Sequence, residues 1–205
     1  LLNFFIKGGV VMIPLLFCSI LGLVIIIERL IFYGSVNRGE EQEMNLLKLY
    51  VNQGRVNEAR SVTAGWRSVL GRMADFALRQ PNTDKERLES ALQFAGDAEV
   101  KRLQRGLGIL DTIVTASPLL GLLGTVSGII RTFNALSTTA GSAQASQLSM
   151  GIAEALYTTA FGLSIAIPAL FFLNAFYGIA EKEARKLTVI AHELLSLLTD
   201  PPSNR

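Results

Sequence analysis

The stretch ASPLLGLLGTVSGIIRTF, residues 116–133, decides how this chain folds. It is apolar enough for a bilayer, yet it carries Gly121, Gly124, Gly128, Pro118 and several hydroxyls, none of which a lipid-facing anchor requires. On a helix, Ser117, Gly121, Thr125, Gly128 and Thr132 recur at spacings of four or three and share one face. Leu119, Leu122, Val126 and Ile129 populate other faces. Small residues let helix backbones approach closely in lipid, where packing rather than the hydrophobic effect drives association. Hydroxyls on the same face can instead line a narrow polar path. From this stretch alone, a packing seam and a polar path are both open.

The rest of the chain has the same character. Half of its 205 residues are hydrophobic and the mean hydropathy is +0.39, which sets it apart from an ordinary soluble domain. The formal net charge of +2 gives no nucleic-acid footprint. Cys18, the single cysteine, lies in an apolar run and has no internal disulfide partner. His192, the single histidine, leaves no scope for a histidine-based metal site, and the sequence calls for no cofactor. Three uncharged stretches, residues 8–27, 112–130 and 155–180, have the length of about 20 apolar residues that a bilayer demands. The first is too long, and too poorly followed by a small-residue cleavage site, for a removable signal peptide.

Charge sets the orientation. Of the 19 Lys and Arg, 13 lie within residues 28–105 and 4 within 181–205, leaving only Lys7 and Arg131. The positive-inside rule therefore puts those two segments in the cytoplasm, and the N-terminus and the second connection outside. The expected organisation is an all-α integral membrane protein with N-out, C-in topology and long cytoplasmic helical extensions. Residues 1–35 hold a short interfacial amphipathic segment and the first span. Residues 36–105 form a cytoplasmic helical domain, 106–136 the second span, 137–150 a periplasmic loop, 151–180 the third span, and 181–205 a cytoplasmic C-terminal helix.

Within the cytoplasmic domain, Leu46, Leu47, Tyr50 and Val51 mark one amphipathic helix. Gly54 breaks it, and a second runs from Val56 through Ala59, Val62, Trp66 and Val69 to Met73. Thr83 with Glu86 fits a capping box. The helix begun there is expected to run on into the second span, 53 residues if unbroken to Leu136, with Gly106 and Gly108 as candidate hinges.

Glu154 is the outstanding candidate for chemistry. An ionisable group within a span costs about 2.5–3.5 kcal/mol at mid-helix and by default suggests function. Thr158, Gly162, Ala166 and Ala169 continue from it as one small, weakly polar stripe, with Thr159 beside it. The face of the second span formed by Ser117, Gly121, Thr125 and Gly128 is its counterpart. Together the two faces can line a shared polar path, or a cavity that accepts another helix. Hydroxyls pass hydrogen bonds but do not store a proton near neutral pH, so this chain lacks a titratable group at the centre of such a path. Asp111, near the inner end of the second span, is a candidate exit group. An intramembrane protease is disfavoured, because a Ser127-Gly128 pair is present but no histidine lies in any span to serve as base.

SPLLGLLGTVSG (117–128) and GIAEALYTTAFGLSIAIPA (151–169) resemble the two signature stretches of the ExbB/TolQ/MotA proton-channel family, most closely its ExbB and TolQ branch. Both occur in order at the expected spans, and the three-span, N-out plan covers the whole chain. The resemblance implies a pentameric ring around single-span ExbD- or TolR-like partners, each bringing an aspartate. That aspartate would supply the missing titratable centre. It also implies that Thr125 and Thr159 are pore threonines facing the aspartate, and that Glu154 is the family glutamate at the outer end of the third span. One departure is Ser127, where many ExbB and TolQ chains carry Trp. The function so implied is a non-enzymatic proton-conducting subunit in the bacterial inner membrane. It would couple the proton motive force to work at the outer membrane, such as TonB-dependent uptake. A TolQ-type role in the cell envelope, and a non-conducting scaffold, are the alternatives. Residue identities alone do not separate proton from sodium use.

Overall fold

A computed structural model describes residues 10–35, 40–66, 68–80, 84–136 and 143–199. Among them are seven α-helices and no strand: α1 (Met12–Ser35), α2 (Glu40–Asn52), α3 (Val56–Thr63), α4 (Val69–Leu78), α5 (Lys85–Leu103), α6 (Leu107–Leu136) and α7 (Ala143–Thr199). Three helical stretches are long and apolar enough to cross a membrane, within Met12–Gly34, Lys85–Asn134 and Leu148–Thr199. The expected interfacial segment at residues 1–7 and the capping residue Thr83 lie outside the described residues. At the start of α5, Asp84 holds the N-cap position without a side-chain cap bond.

The chain divides into two compact units. The first comprises Leu1–Arg29 with Gly106–Phe176 and holds the apolar parts of α1, α6 and α7. The buried residues Met12, Leu15, Gly22, Ile25 and Ile26 share one side of α1. Gly22 lets α1 approach α6, since a Cβ there would lie 3.6 Å from Ile113 and 4.0 Å from Leu110. The remaining surface of α1, including Ile13, Phe17, Ile20, Leu23 and Val24, is exposed and apolar, as a lipid-facing helix requires.

The second unit comprises Leu30–Arg105 with Tyr177–Arg205. Its core gathers Leu47 and Val51 of α2, Leu70, Met73 and Ala74 of α4, Leu88, Leu92 and Leu103 of α5, and Leu187 and Leu194 of α7. Polar contacts fix the register of these helices. Arg72 of α4 grips Glu99 of α5 through two parallel bonds of 2.5 Å, Lys48 of α2 pairs with Glu193 of α7, and Tyr33 donates to the Leu103 carbonyl at 2.6 Å.

Three boundaries differ from the sequence reading. The second amphipathic run is two helices, because Ser68 takes an extended conformation and its hydroxyl accepts from the Gly71 amide, starting α4 afresh. Gly54, the predicted break before α3, is confirmed with φ +68°. The long helix into the second span is interrupted between α5 and α6, where Gly106 adopts φ +78°. Only glycine takes that left-handed conformation without steric cost, whereas Gly108, the other candidate hinge, sits inside α6. Third, residues 143–149, assigned to the external loop for their polarity, are helical and open α7. Ala, Gln and Leu in that segment are strong helix formers, and polarity alone does not end a helix. At 57 residues, α7 is about 86 Å long.

Candidate functional site

The face of small residues on α6 meets its counterpart on α7, within the first unit. Gly121 lies against the backbone of Thr158 and Thr159, where an added Cβ would sit 3.0 Å from each. Gly124 receives the side chain of Thr158, Gly128 faces Ala155, and Gly151 receives the side chain of Thr132. The closest approach of backbone is at Gly162, whose Cβ position is 2.5 Å from the Ser117 carbonyl oxygen. Neither helix has room for a methyl group there.

This approach joins the hydroxyls. Thr125 and Thr159 share a hydrogen bond between their side-chain oxygens. The same two protons have carbonyl acceptors as alternatives: Thr125 Oγ1 lies 2.9 Å from the Ala155 oxygen, and Thr159 Oγ1 lies 3.0 Å from the Gly121 oxygen. Thr158 donates to Ala155 O at 2.7 Å and lies 3.3 Å from Gly121 O. The Gly121 carbonyl is thus a hub within reach of all three hydroxyls, Thr125 included at 3.3 Å.

Burial separates residues that the sequence grouped together. Thr158 is only 1% exposed and Ser117 is fully buried. Gly121, Gly128 and Gly162 are buried as well. These five are buried in the seam between α6 and α7. Thr125 and Thr159 are partly exposed. Among the described residues, the Ser117 hydroxyl has no hydrogen-bond partner. Asp111 is exposed near the start of α6, some 14 residues and so about 21 Å along the helix from Thr125.

Glu154 is not the solitary acid that its sequence context suggested. It is 30% exposed and paired with Arg131 of α6, Nη2 to Oε1 2.6 Å, with the arginine 54% exposed. The pair lies beyond the threonines, at the end of the spans opposite Asp111. Sequence reasoning left Arg131 without a role. The available signal was that two oppositely charged residues close two apolar spans at the same end. Among the described residues, no group of three or more His, Cys, Asp or Glu is placed to hold a metal ion.

Residues 59–188, which contain all of α6 and the site residues of α7, match the MotA/TolQ/ExbB proton channel family. The chain belongs to this family. It is 40% identical over 200 residues to the putative biopolymer transport protein ExbB-like 1 of Synechocystis sp., covering 95% of this chain and 77% of that one. It is 34% identical over 160 residues to the biopolymer transport protein exbB1 of Vibrio cholerae, covering 77% and 70%. Against the Tol-Pal system protein TolQ of Pseudomonas aeruginosa it is 36% identical over 118 residues, covering 58% and 51%. With three membrane-capable helices, this ExbB/TolQ-family chain is a multi-pass protein of the inner membrane.

Proposed function

We propose that the chain is the proton-conducting subunit of an energy-transducing motor of the ExbB–ExbD type, with its N-terminus outside and its C-terminus in the cytoplasm. Thr125 and Thr159 face an aspartate of a single-span ExbD/TolR-like partner enclosed by a ring of this chain, a pentamer by family resemblance. The observation that carries this reading is the Thr125–Thr159 hydroxyl pair, linked across two helices and left partly exposed.

The chemistry follows from counting donors. A threonine hydroxyl has one proton to donate and two lone pairs to accept with. When Thr125 and Thr159 give up the bond between them and direct both protons to the Ala155 and Gly121 carbonyls, they present lone pairs, which suit a protonated aspartic acid. If one hydroxyl rotates outward, it donates instead, which suits an aspartate anion. The same pair therefore accommodates both states of a carboxyl group that is loaded on one side and discharged on the other. Gly121, Gly128, Gly162, Ser117 and Thr158 hold the two helices at the separation this requires. Glu154 stands at the outer entry and Asp111 toward the inner exit. One charge crossing 100 mV releases about 2.3 kcal/mol, so several protons are needed to displace a folded plug or anchor. The work passes to the partner's periplasmic part and onward to a TonB-like protein and outer-membrane uptake.

Proton flux into sealed vesicles containing this chain and its partner tests the proposal. Flux that depends on the partner aspartate supports it. A well-assembled complex that passes no protons under an imposed gradient makes the chain a scaffold. The TolQ match favours a second reading, cell-envelope maintenance, and restoration of one function but not the other in deletion strains separates the two.

A further inference from the structure

We propose that Arg131 reserves Glu154 for the proton by keeping metal cations off it, a role that rests on Glu154 standing at the entry of a proton path. A bare carboxylate at the mouth of a pore attracts every cation. Sodium and potassium outnumber protons near neutral pH by many orders of magnitude, and hard monovalent ions favour carboxylate oxygen. The Arg131 guanidinium removes that attraction, since its Nη2 lies 2.6 Å from Glu154 Oε1 and the pair is neutral as a whole. A cation approaching Glu154, 30% exposed, meets beside it a guanidinium that is 54% exposed, the electrostatic barrier that arginines supply in other selective pores.

The pairing leaves room for a proton. Contact is through one nitrogen and one oxygen, and Glu154 Oε2 makes no hydrogen bond to any described residue. A proton can therefore be taken on Oε2 without first breaking the Arg131 contact. A metal ion needs several oxygens at once and meets only that one beside a fixed positive charge. The groups around Glu154 reinforce this asymmetry. From α6, Arg131 is the charged group near it; along α7 the nearest titratable side chain is Tyr157, one turn away. Among the described residues, no group of three or more His, Cys, Asp or Glu is placed here to hold a metal ion.

The test uses the assembled complex of this chain with its partner in vesicles. Dicyclohexylcarbodiimide reacts with a carboxyl group only when it is protonated, so an ion held at Glu154 protects it, and labelling is read by mass spectrometry of the peptide. Choline chloride is exchanged for sodium chloride at a constant ~0.15 M, which keeps screening fixed. Labelling of the wild-type complex is expected to be insensitive to the exchange. In Arg131→Met and in Arg131→Gln, a second neutral variant of different polarity, sodium is expected to slow labelling about tenfold, equivalent to ~1.4 kcal/mol. Arg131→Lys, which restores the charge, is expected to behave as wild type. Sodium protection already present in the wild type, or absent from both neutral variants, overturns the proposal. Proton flux measured on the same vesicles keeps the two readings apart. A wild-type complex without flux refutes the proton path, while the labelling pattern still decides whether Arg131 guards Glu154.

Discussion

At the scale of single residues, the proposed site turns on two threonines and on glycines that leave no room for a methyl group. Thr159→Val keeps the side-chain shape and removes the hydroxyl that joins Thr125 and the Gly121 carbonyl. The helix pair is expected to survive, because a hydrogen bond between membrane helices contributes only about 0.6 kcal/mol on average. Proton flux should fall by about tenfold or more, as removing one polar contact from a transfer step commonly does. Unaltered flux from a properly assembled Thr159→Val complex would show that this hydroxyl takes no part. Gly162→Ala is the converse case. It places a carbon 2.5 Å from the Ser117 carbonyl oxygen, and overpacking of that kind costs about 1–3 kcal/mol. The expected outcome is a lower midpoint in thermal or detergent unfolding. Loss of flux should follow from displaced threonines, although Gly162 touches no proton.

At the scale of elements, the break between α5 and α6 is held by one backbone conformation. Gly106 has φ +78°, and an L-residue there pays about 1–2 kcal/mol. Its Cβ position meets only Ile25, at 3.6 Å, so space is not the obstacle. Gly106→Ala is thus expected to lower the unfolding midpoint through strain alone. Gly108→Ala, inside α6 with nothing within 4 Å of the added carbon, should leave stability unchanged or slightly raised. Comparing the two variants by thermal unfolding in one detergent checks this; equal effects would mean that the turn relaxes freely. The division of the second amphipathic run into α3 and α4 has the same local origin, since the Ser68 hydroxyl supplies a new helix start that hydrophobic spacing does not record.

At the scale of the whole molecule, the carboxylates of the span unit, Glu28, Asp111 and Glu154, all flank the apolar stretches, so the chain has no titratable carboxylate beside Thr125 and Thr159. Expressed alone, it is expected to pass no protons. With its partner it should conduct, and replacing the partner's aspartate by asparagine should abolish flux while leaving the complex assembled by size-exclusion chromatography. Conduction by this chain without any partner would instead place the proton-carrying group within it. Membership of the MotA/TolQ/ExbB family is consistent with that division of labour.

The sequence by itself determined the three spans, the extensions and the two small-residue stripes. Length, hydropathy and helical spacing are local properties, and a bilayer permits few other outcomes for such stretches. Thr125, Thr159 and Glu154 stood out as polar groups in or beside apolar spans, while the roles proposed for them come from the family resemblance. Which small residues face each other was decided only by the tertiary structure, because Ser117, Gly121 and Thr158 look alike in periodicity whether they line a path or a seam. The pairing of Arg131 with Glu154, 23 positions apart, likewise requires two helices to be set side by side. The sequence shows only that two opposite charges close two apolar spans at the same end.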